Sequence, residues 1–188
     1  MALHTPARRI PGLAQKYTPK DLELRLFGTV EESFVDGPGI RYVIFTQGCP
    51  HGCIGCHNPL SHPMEGGTPS STSEQWQKIL SHSHLDGITF SGGEPFLWAR
   101  ELSEIGRAAR DRGLTVMTYT GFLYEKLLEM AKNDSSIHDL LSCTNYLVDG
   151  PFVLAERDLS LKYRGSRNQR ILDITCYPNS TNAAEAQF

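Results

Sequence analysis

Three cysteines stand close together in the segment QGCPHGCIGCHNP, and their spacing is the strongest chemical signal in the chain. Three residues separate Cys49 from Cys53, and two separate Cys53 from Cys56. The chain has five cysteines, an odd number, and so tight a group suits one small inorganic centre better than a disulfide framework. A fourth cysteine is absent nearby. Three thiolate ligands would leave one position of an iron-sulfur cluster open to a substrate.

A structural zinc site is the alternative interpretation of this loop. Its fourth ligand would be His51, His57, or one of the distant cysteines, Cys143 and Cys176. We expect His51 and His57 to shape the loop or to contact a ligand. Cys143 and Cys176 stand alone in apolar surroundings, where buried cysteines are common, so we assign them no role.

A second segment with chemical potential is SGGEP (91–95), which follows an apolar run. Gly92 and Gly93 would allow another group to approach the backbone closely, and the carboxylate of Glu94 suits a cationic amino group. The alternative for Glu94 is a negative charge at the start of a helix, where it would stabilise the helix by roughly 0.3–1 kcal/mol.

The elements that must position these residues alternate along the chain. Short apolar runs that lead into glycine-containing loops predict buried parallel strands at 41–48, 87–95, 114–121 and 145–150, with one more strand at 170–175. Helical patterns occur at 73–83, capped by Ser73, at 97–113 and at 123–133. Repeated strand-loop-helix units predict an α/β fold, an open partial βα barrel of about five or six parallel strands with helices outside.

Length and composition bound the organisation of the chain and its function class. At 188 residues it fits one domain, which we place at 25–175 between an N-terminal extension (1–24) and a C-terminal tail (176–188). A net charge of -3 disfavours electrostatic binding to nucleic acid or to an anionic membrane. The sequence has no long apolar run and no secretory signal, which predicts a cytoplasmic protein without a membrane partner.

The two chemical segments together resemble the signatures of a known enzyme family. The segment C-PHG-C-IG-C resembles the cysteine motif of radical S-adenosylmethionine (SAM) enzymes, and SGGEP resembles the motif that holds the methionine end of SAM in them. More narrowly, VDGPGIRYVIFTQGCPHGCIGCHNP (35–59) is similar to the activases of glycyl radical enzymes. Gly55 stands where most of these activases carry an aromatic residue. This departs from the pyruvate formate-lyase activases and is similar to the branch that serves anaerobic ribonucleotide reductases.

The resemblance, which covers residues 27–174, implies an activity and a site. It implies a [4Fe-4S] cluster on Cys49, Cys53 and Cys56, cleavage of SAM, and removal of a glycine Cα hydrogen from a partner enzyme. It also implies an electron donor of the flavodoxin or ferredoxin type. The residues that we expect at the cofactor are Gly92, Gly93, Glu94, Thr118, Thr120, Gly121, His57 and Asn168, with Thr118, Thr120 and Gly121 near the ribose or the methionine carboxylate.

Two other function classes remain open on the sequence. One is an activase for a different glycyl radical enzyme, or a small radical SAM enzyme with another substrate. The other is a non-catalytic module that binds an iron-sulfur cluster or zinc. Metal analysis together with an assay for SAM cleavage distinguishes the second class from both enzymes.

Overall fold

The computed structural model describes residues 16–188, which form one sheet of eight strands with four α-helices. The strands are β1 (Glu23–Ser33), β2 (Arg41–Thr46), β3 (Thr68–Ser71), β4 (Gly87–Gly92), β5 (Thr115–Tyr119), β6 (Tyr146–Asp149), β7 (Arg170–Asp173) and β8 (Ala184–Glu185). The helices are α1 (Thr72–Ser81), α2 (Ala99–Asp111), α3 (Tyr124–Met130) and α4 (Ser135–Cys143). No helix in this part of the chain is long and apolar enough to cross a membrane.

The sheet is mixed, with the strand order β3-β1-β2-β4-β5-β6-β7-β8. Within residues 16–188, parallel pairing joins only β2, β4, β5 and β6, fewer than the five or six parallel strands predicted. The predicted strand at 170–175 is β7, and it runs antiparallel to β6. The reason is the connection 150–169, which contains only a short 3-10 turn and returns the chain without the crossover helix that a parallel strand needs.

Both ends of the described chain take part in the sheet or pack on its helices. β1 begins at Glu23 and pairs with β2 and β3, and β8 pairs with β7 within the segment predicted as a tail. Tyr17 lies against α2, where its hydroxyl donates to the carboxylate of Glu104 and its N–H donates to Asp111. The rest of the predicted extension, residues 1–15, lies outside the described range.

The two faces of the sheet bury different sets of side chains because successive residues of a strand point to opposite sides. Val116 and Leu147 belong to the main core beneath the helices, whereas Met117 and Val148, one position along, form a second cluster on the opposite face. Helix α1 begins at Thr72, and its N-cap lies two residues earlier than predicted. Its N-cap is Ser71, whose side chain accepts the Glu74 N–H, and not Ser73.

Loops and the last residue cover part of the face opposite the helices. The hydroxyl of Tyr119, at the end of β5, donates to the Tyr163 carbonyl over 2.8 Å. The Phe188 ring meets the rings of Tyr146 and Tyr163 edge to face, at centroid distances of 5.1 and 5.6 Å.

The parallel strands β2, β4, β5 and β6 have their carboxyl ends at the same edge of the sheet. The glycine loops that follow these strands therefore lie together at this edge, which is where α/β proteins form their sites.

Candidate active site

The three clustered cysteines lie in the loop that follows β2 at the carboxyl edge of the parallel strands. The loop turns at Gly48, Gly52 and Gly55, whose φ angles of +94°, +58° and +76° lie in the left-handed region. Residues other than glycine rarely adopt this backbone conformation, which explains why three glycines alternate with the cysteines. We define the cysteine loop as residues 48–56.

All three thiols of the cysteine loop are free and partly exposed. Burial raises the pKa of the Cys49 thiol, and the nearby negative charges of Cys53, Cys56 and Glu94 act in the same direction. The Cys56 sulfur also accepts the Asn58 N–H at 3.4 Å. The loop thus gathers three soft sulfur ligands of the kind that bind zinc or an iron-sulfur cluster.

Three thiolates from one loop fit three irons of a [4Fe-4S] cluster and leave the fourth iron open. Within residues 16–188, no three histidine, cysteine, aspartate or glutamate side chains are arranged to hold a single metal ion. The other two cysteines lie elsewhere. Cys143 is buried where α4 packs against Gly106 of α2, and Cys176 is exposed after β7.

The glycine pair of SGGEP ends β4 and lies directly against the start of the cysteine loop. The Gly93 N–H donates to the Thr46 carbonyl and the Glu94 N–H donates to the Gly48 carbonyl, each over 2.8 Å. A Cβ on Gly93 would lie 2.2 Å from the Gly48 oxygen, and one on Gly92 would lie 2.5 Å from the Thr46 nitrogen. Two backbones can meet this closely only because both positions are glycine.

The carboxylate of Glu94 is fully buried and accepts four hydrogen bonds. The Phe96 N–H donates to Oε1 over 2.9 Å, at the start of a short 3-10 helix. The Thr120 hydroxyl lies 3.0 Å from both oxygens, and the Gly121 N–H donates to Oε2 over 3.0 Å. The fourth donor is His51 of the cysteine loop, with Nε2 at 2.6 Å from Oε2. Glu94 therefore joins the ends of β4 and β5 to the cysteine loop.

The residues predicted at the end of β5 do not all reach this point. Thr120 and Gly121 contact Glu94, as described above. The side chain of Thr118 points to the helix side of the sheet, as that of Val116 does, and its hydroxyl lies 2.9 Å from the Thr144 hydroxyl at the end of α4. The structure therefore does not bring the Thr118 side chain to Glu94.

The connection between β6 and β7 packs along the other side of the cysteine loop. The His57 ring lies 5.1 Å from the Phe152 ring, and a Cβ on Gly55 would lie 2.9 Å from Leu154. The Asn168 amide donates to the Pro151 carbonyl over 2.8 Å, while its Oδ1 is buried and has no partner among the described residues. A buried oxygen without a hydrogen-bond donor is rare in folded proteins and calls for an explanation.

Sequence reasoning missed Asp149 and did not identify the partner of His51. The sequence predicts that His51 shapes the loop or contacts a ligand, and its partner in the structure is Glu94. Asp149 ends β6, is fully buried, and accepts the Tyr124 N–H over 2.8 Å and the Arg170 Nε–H over 3.0 Å. The signal for Asp149 is the dipeptide Asp-Gly at the end of a buried run, in line with the glycine loops of β4 and β5.

Comparisons with known proteins agree with this geometry. Residues 35–172 match a family described as a 4Fe-4S single cluster domain. The anaerobic ribonucleoside-triphosphate reductase-activating protein of Salmonella typhimurium is 35% identical over 145 residues, which cover 72% of this chain and 89% of that protein. The protein of the same name from Enterobacteria phage T4 is 31% identical over 151 residues, with 76% and 89% covered.

A third relative belongs to a different branch of activases. The pyruvate formate-lyase-activating enzyme of Clostridium pasteurianum is 36% identical over 115 residues, which cover 58% of this chain and 48% of that enzyme.

The family match and the reductase-activating relatives together identify the cofactors of this chain as one [4Fe-4S] cluster and SAM. The chain belongs to the radical SAM activases of glycyl radical enzymes, in the family of the anaerobic ribonucleoside-triphosphate reductase-activating proteins.

Proposed function

We propose that this protein removes a hydrogen atom from a glycine Cα of an anaerobic ribonucleoside-triphosphate reductase and leaves a glycyl radical there. The observation that carries the proposal is the direct contact between the cysteine loop and the glycine pair of β4. Backbone hydrogen bonds of 2.8 Å join Thr46 and Gly48 to Gly93 and Glu94. A metal-binding loop and a candidate SAM-binding segment are thereby held at one edge of the sheet.

In this proposal, Cys49, Cys53 and Cys56 hold the cluster. When bound, the cluster would supply the electron that cleaves the sulfonium of SAM and one iron with an open coordination position. The cysteine loop keeps this position beside the end of β4. The partly exposed thiols leave the loop accessible from one side.

The methionine end of SAM would lie along Gly92, Gly93 and Glu94. The glycine pair brings two backbone segments close together, so SAM can lie against main-chain groups there. The buried carboxylate of Glu94 contributes a negative charge beside the amino group of SAM. We assign Thr120 and Gly121 to the same end of the ligand.

Two residues complete the proposed site at its other side, and a third supports the site from the helix side of the sheet. His57 and Asn168 would face SAM from the side of the β6–β7 connection, where the orphaned Oδ1 of Asn168 would accept a donor of the ligand. Thr118 would act through its bond to Thr144, which fixes the end of β5. We therefore propose a positioning role for Thr118.

The partner, the electron donor and the location are also proposals. We infer that the sheet is an open partial barrel, because β3 and β8 form its two edges within residues 16–188 and do not pair with each other. In this proposal, a loop of the partner protein would enter from the open side. A flavodoxin- or ferredoxin-type protein would supply the electron. The free cysteines suit the reducing cytoplasm, where thiols stay reduced.

The decisive experiment combines the reduced protein, SAM and a cognate anaerobic ribonucleotide reductase. We expect a glycyl radical doublet in electron paramagnetic resonance and more SAM cleavage than without the reductase. Replacing Cys49, Cys53 or Cys56 with alanine should abolish both signals, whereas Cys143→Ala and Cys176→Ala should retain them.

Three results would contradict the proposal in different ways. A glycyl radical on another enzyme only would change the partner, and turnover of a free small molecule would exclude an activase. One tightly bound zinc, with no uptake of iron and sulfide, would exclude the chemistry altogether.

A further inference from the structure

Backbone hydrogen bonds hold the start of the cysteine loop to neighbouring segments, but within the described part of the chain the middle of the loop makes a single hydrogen bond to another segment. Near its start, the Gly48 and Cys49 N–H groups donate to the carbonyls of Ser61 and His62, over 2.8 and 3.0 Å. Among residues 16–188, the stretch 50–55 makes one hydrogen bond to another segment, from His51 Nε2 to Glu94 Oε2. This bond lies between the first and second cysteines.

We propose that His51 is a positioning residue that fixes the cysteine loop on Glu94, and so sets where the cluster lies relative to the SAM-binding strand ends. The proposal rests on the proposed function of this site and adds a residue to it. His51 acts through Glu94 and does not itself bind the cluster or SAM.

The surroundings of His51 are shaped to hold its ring in one orientation. The Phe122 ring meets it edge to face, with centroids 4.5 Å apart and planes at 75°. Gly121 leaves the space that the imidazole fills, since a Cβ there would lie 2.3 Å from the His51 Cδ2. The side chain of His51 is only 16% exposed, so water competes little for its hydrogen bond.

Glu94 is a suitable anchor because its other three donors come from elements that cannot move independently. Two are the backbone N–H groups of Phe96 and Gly121, and the third is the Thr120 hydroxyl. A carboxylate offers about four acceptor positions, and His51 takes the last of them. The bond from His51 to Glu94 thereby fixes the middle of the cysteine loop relative to the ends of both β4 and β5.

The loss of this bond predicts a looser loop in a protein that still folds. A hydrogen bond to a charged group is strong enough for about a tenfold or larger effect on the equilibrium that it controls. His51→Leu keeps an apolar side chain beside Phe122 and removes the donor. His51→Gln keeps a donor at a similar reach. His84→Leu is the matched control, because His84 is half-exposed and lies far along the chain on the loop before β4.

Three measurements test the proposal, and none of them measures turnover. In metal-free protein, hydrogen exchange of the cysteine-loop amides should be about tenfold faster in His51→Leu than in the wild type. In reconstituted protein, iron loss to a chelator should accelerate by about the same factor. The electron paramagnetic resonance spectrum of the reduced cluster should respond to SAM differently in this variant. His51→Gln should restore all three, and His84→Leu should match the wild type.

The outcomes separate this proposal from the proposed function. Wild-type exchange and iron retention in His51→Leu would overturn it, and so would a His51→Gln variant as defective as His51→Leu, since that result would assign the role to the imidazole itself. If the expected pattern appears but no reductase acquires a glycyl radical, the positioning role stands and the proposed partner is wrong.

Discussion

Replacing Gly93 with alanine would place a methyl group where the backbone of the cysteine loop already lies. The new Cβ would stand 2.2 Å from the Gly48 oxygen and 2.8 Å from its carbonyl carbon. The Cβ and the Gly48 oxygen must move apart by more than ~1 Å to reach an ordinary contact distance of about 3.5 Å. The Gly48 carbonyl cannot move that far without losing the Glu94 N–H, which it accepts at 2.8 Å. The neighbouring bond from Gly93 to Thr46 would be strained as well.

The expected loss follows from these two backbone hydrogen bonds. Each contributes a net ~0.5–1.5 kcal/mol, so Gly93→Ala should lower the free energy of unfolding by about 1–3 kcal/mol. This is also the scale of overpacking a tightly filled site. For a protein of this size, the melting temperature should fall by roughly 2–12 °C. Urea denaturation and thermal melts of the metal-free protein would measure both quantities, and SAM binding to the reconstituted variant should weaken.

The matched control is Gly28→Ala in β1. A Cβ on Gly28 would have no atom within 4 Å, and its φ lies outside the left-handed region. We expect this variant to match the wild type or to gain about 0.4–1 kcal/mol through a less flexible unfolded chain. If Gly93→Ala is as stable as the wild type, the close contact at Gly93 is refuted. If Gly28→Ala loses as much unfolding free energy as Gly93→Ala, the loss does not report on that contact.

Three further predictions concern the elements around the site. Burial alone would raise the pKa of Glu104, but the hydrogen bond from Tyr17 and the nearby positive charges hold it below its usual value. The ionised Glu104 carboxylate therefore stabilises the fold above pH ~4.5, and this stabilisation is lost as the pH falls through the folded pKa. Glu104→Gln should therefore make the free energy of unfolding, measured by urea denaturation, depend less on pH at the acid end. An unchanged pH dependence there would contradict this. Asp149→Ala leaves Arg170 and a buried N–H without their carboxylate and should cost about 1.5–3 kcal/mol of unfolding free energy, whereas a loss under ~0.5 kcal/mol would exclude the buried pairing. Phe188→Ala removes two edge-to-face contacts and should lower the free energy of unfolding by about 0.5–1.5 kcal/mol in the same assay. No measurable loss would show that the Phe188 ring does not pack against Tyr146 and Tyr163.

The parallel strands were predictable because their signal is local. Each of β2, β4, β5 and β6 is a short apolar run that leads into a glycine-containing loop, and burial on both faces removes the need for alternation. The strands that were missed lack that signal. β1 alternates buried Leu24 and Leu26 with exposed residues and then turns polar, and β8 has only two residues, which gain their form from pairing with β7.

Helix boundaries were less predictable than helix positions, for a physical reason. Several residues of the run SSTSE can cap a helix, and the place where the chain leaves β3 selects Ser71 over Ser73. Helix α4 had a usable signal that was not recognised. Asp134 caps it, and Ile137, Leu140 and Leu141 follow at helical spacing.

The site divides in the same way between local and tertiary information. The three cysteines and the glycine pair are recognisable because each group is contiguous in the sequence. The bond between His51 and Glu94 joins residues 43 positions apart, and the position of Thr118 depends on where β5 stops at Tyr119. No spacing rule relates such residues, since only the register between neighbouring strands brings their ends together.

Of the two interpretations of Glu94 that the sequence offered, the charge at a helix start accounts for only one of its hydrogen-bond partners. The Phe96 N–H makes Glu94 a capping residue, and Thr120, Gly121 and His51 make it a junction of the site. A capping role alone would not require full burial, since a cap works at an exposed helix end, and burying a carboxylate without partners is costly. The four donors remove that cost, so this buried charge can persist beside the cysteine loop. Its burial is therefore better explained by the need for a negative charge fixed between two strand ends than by the short helix it begins.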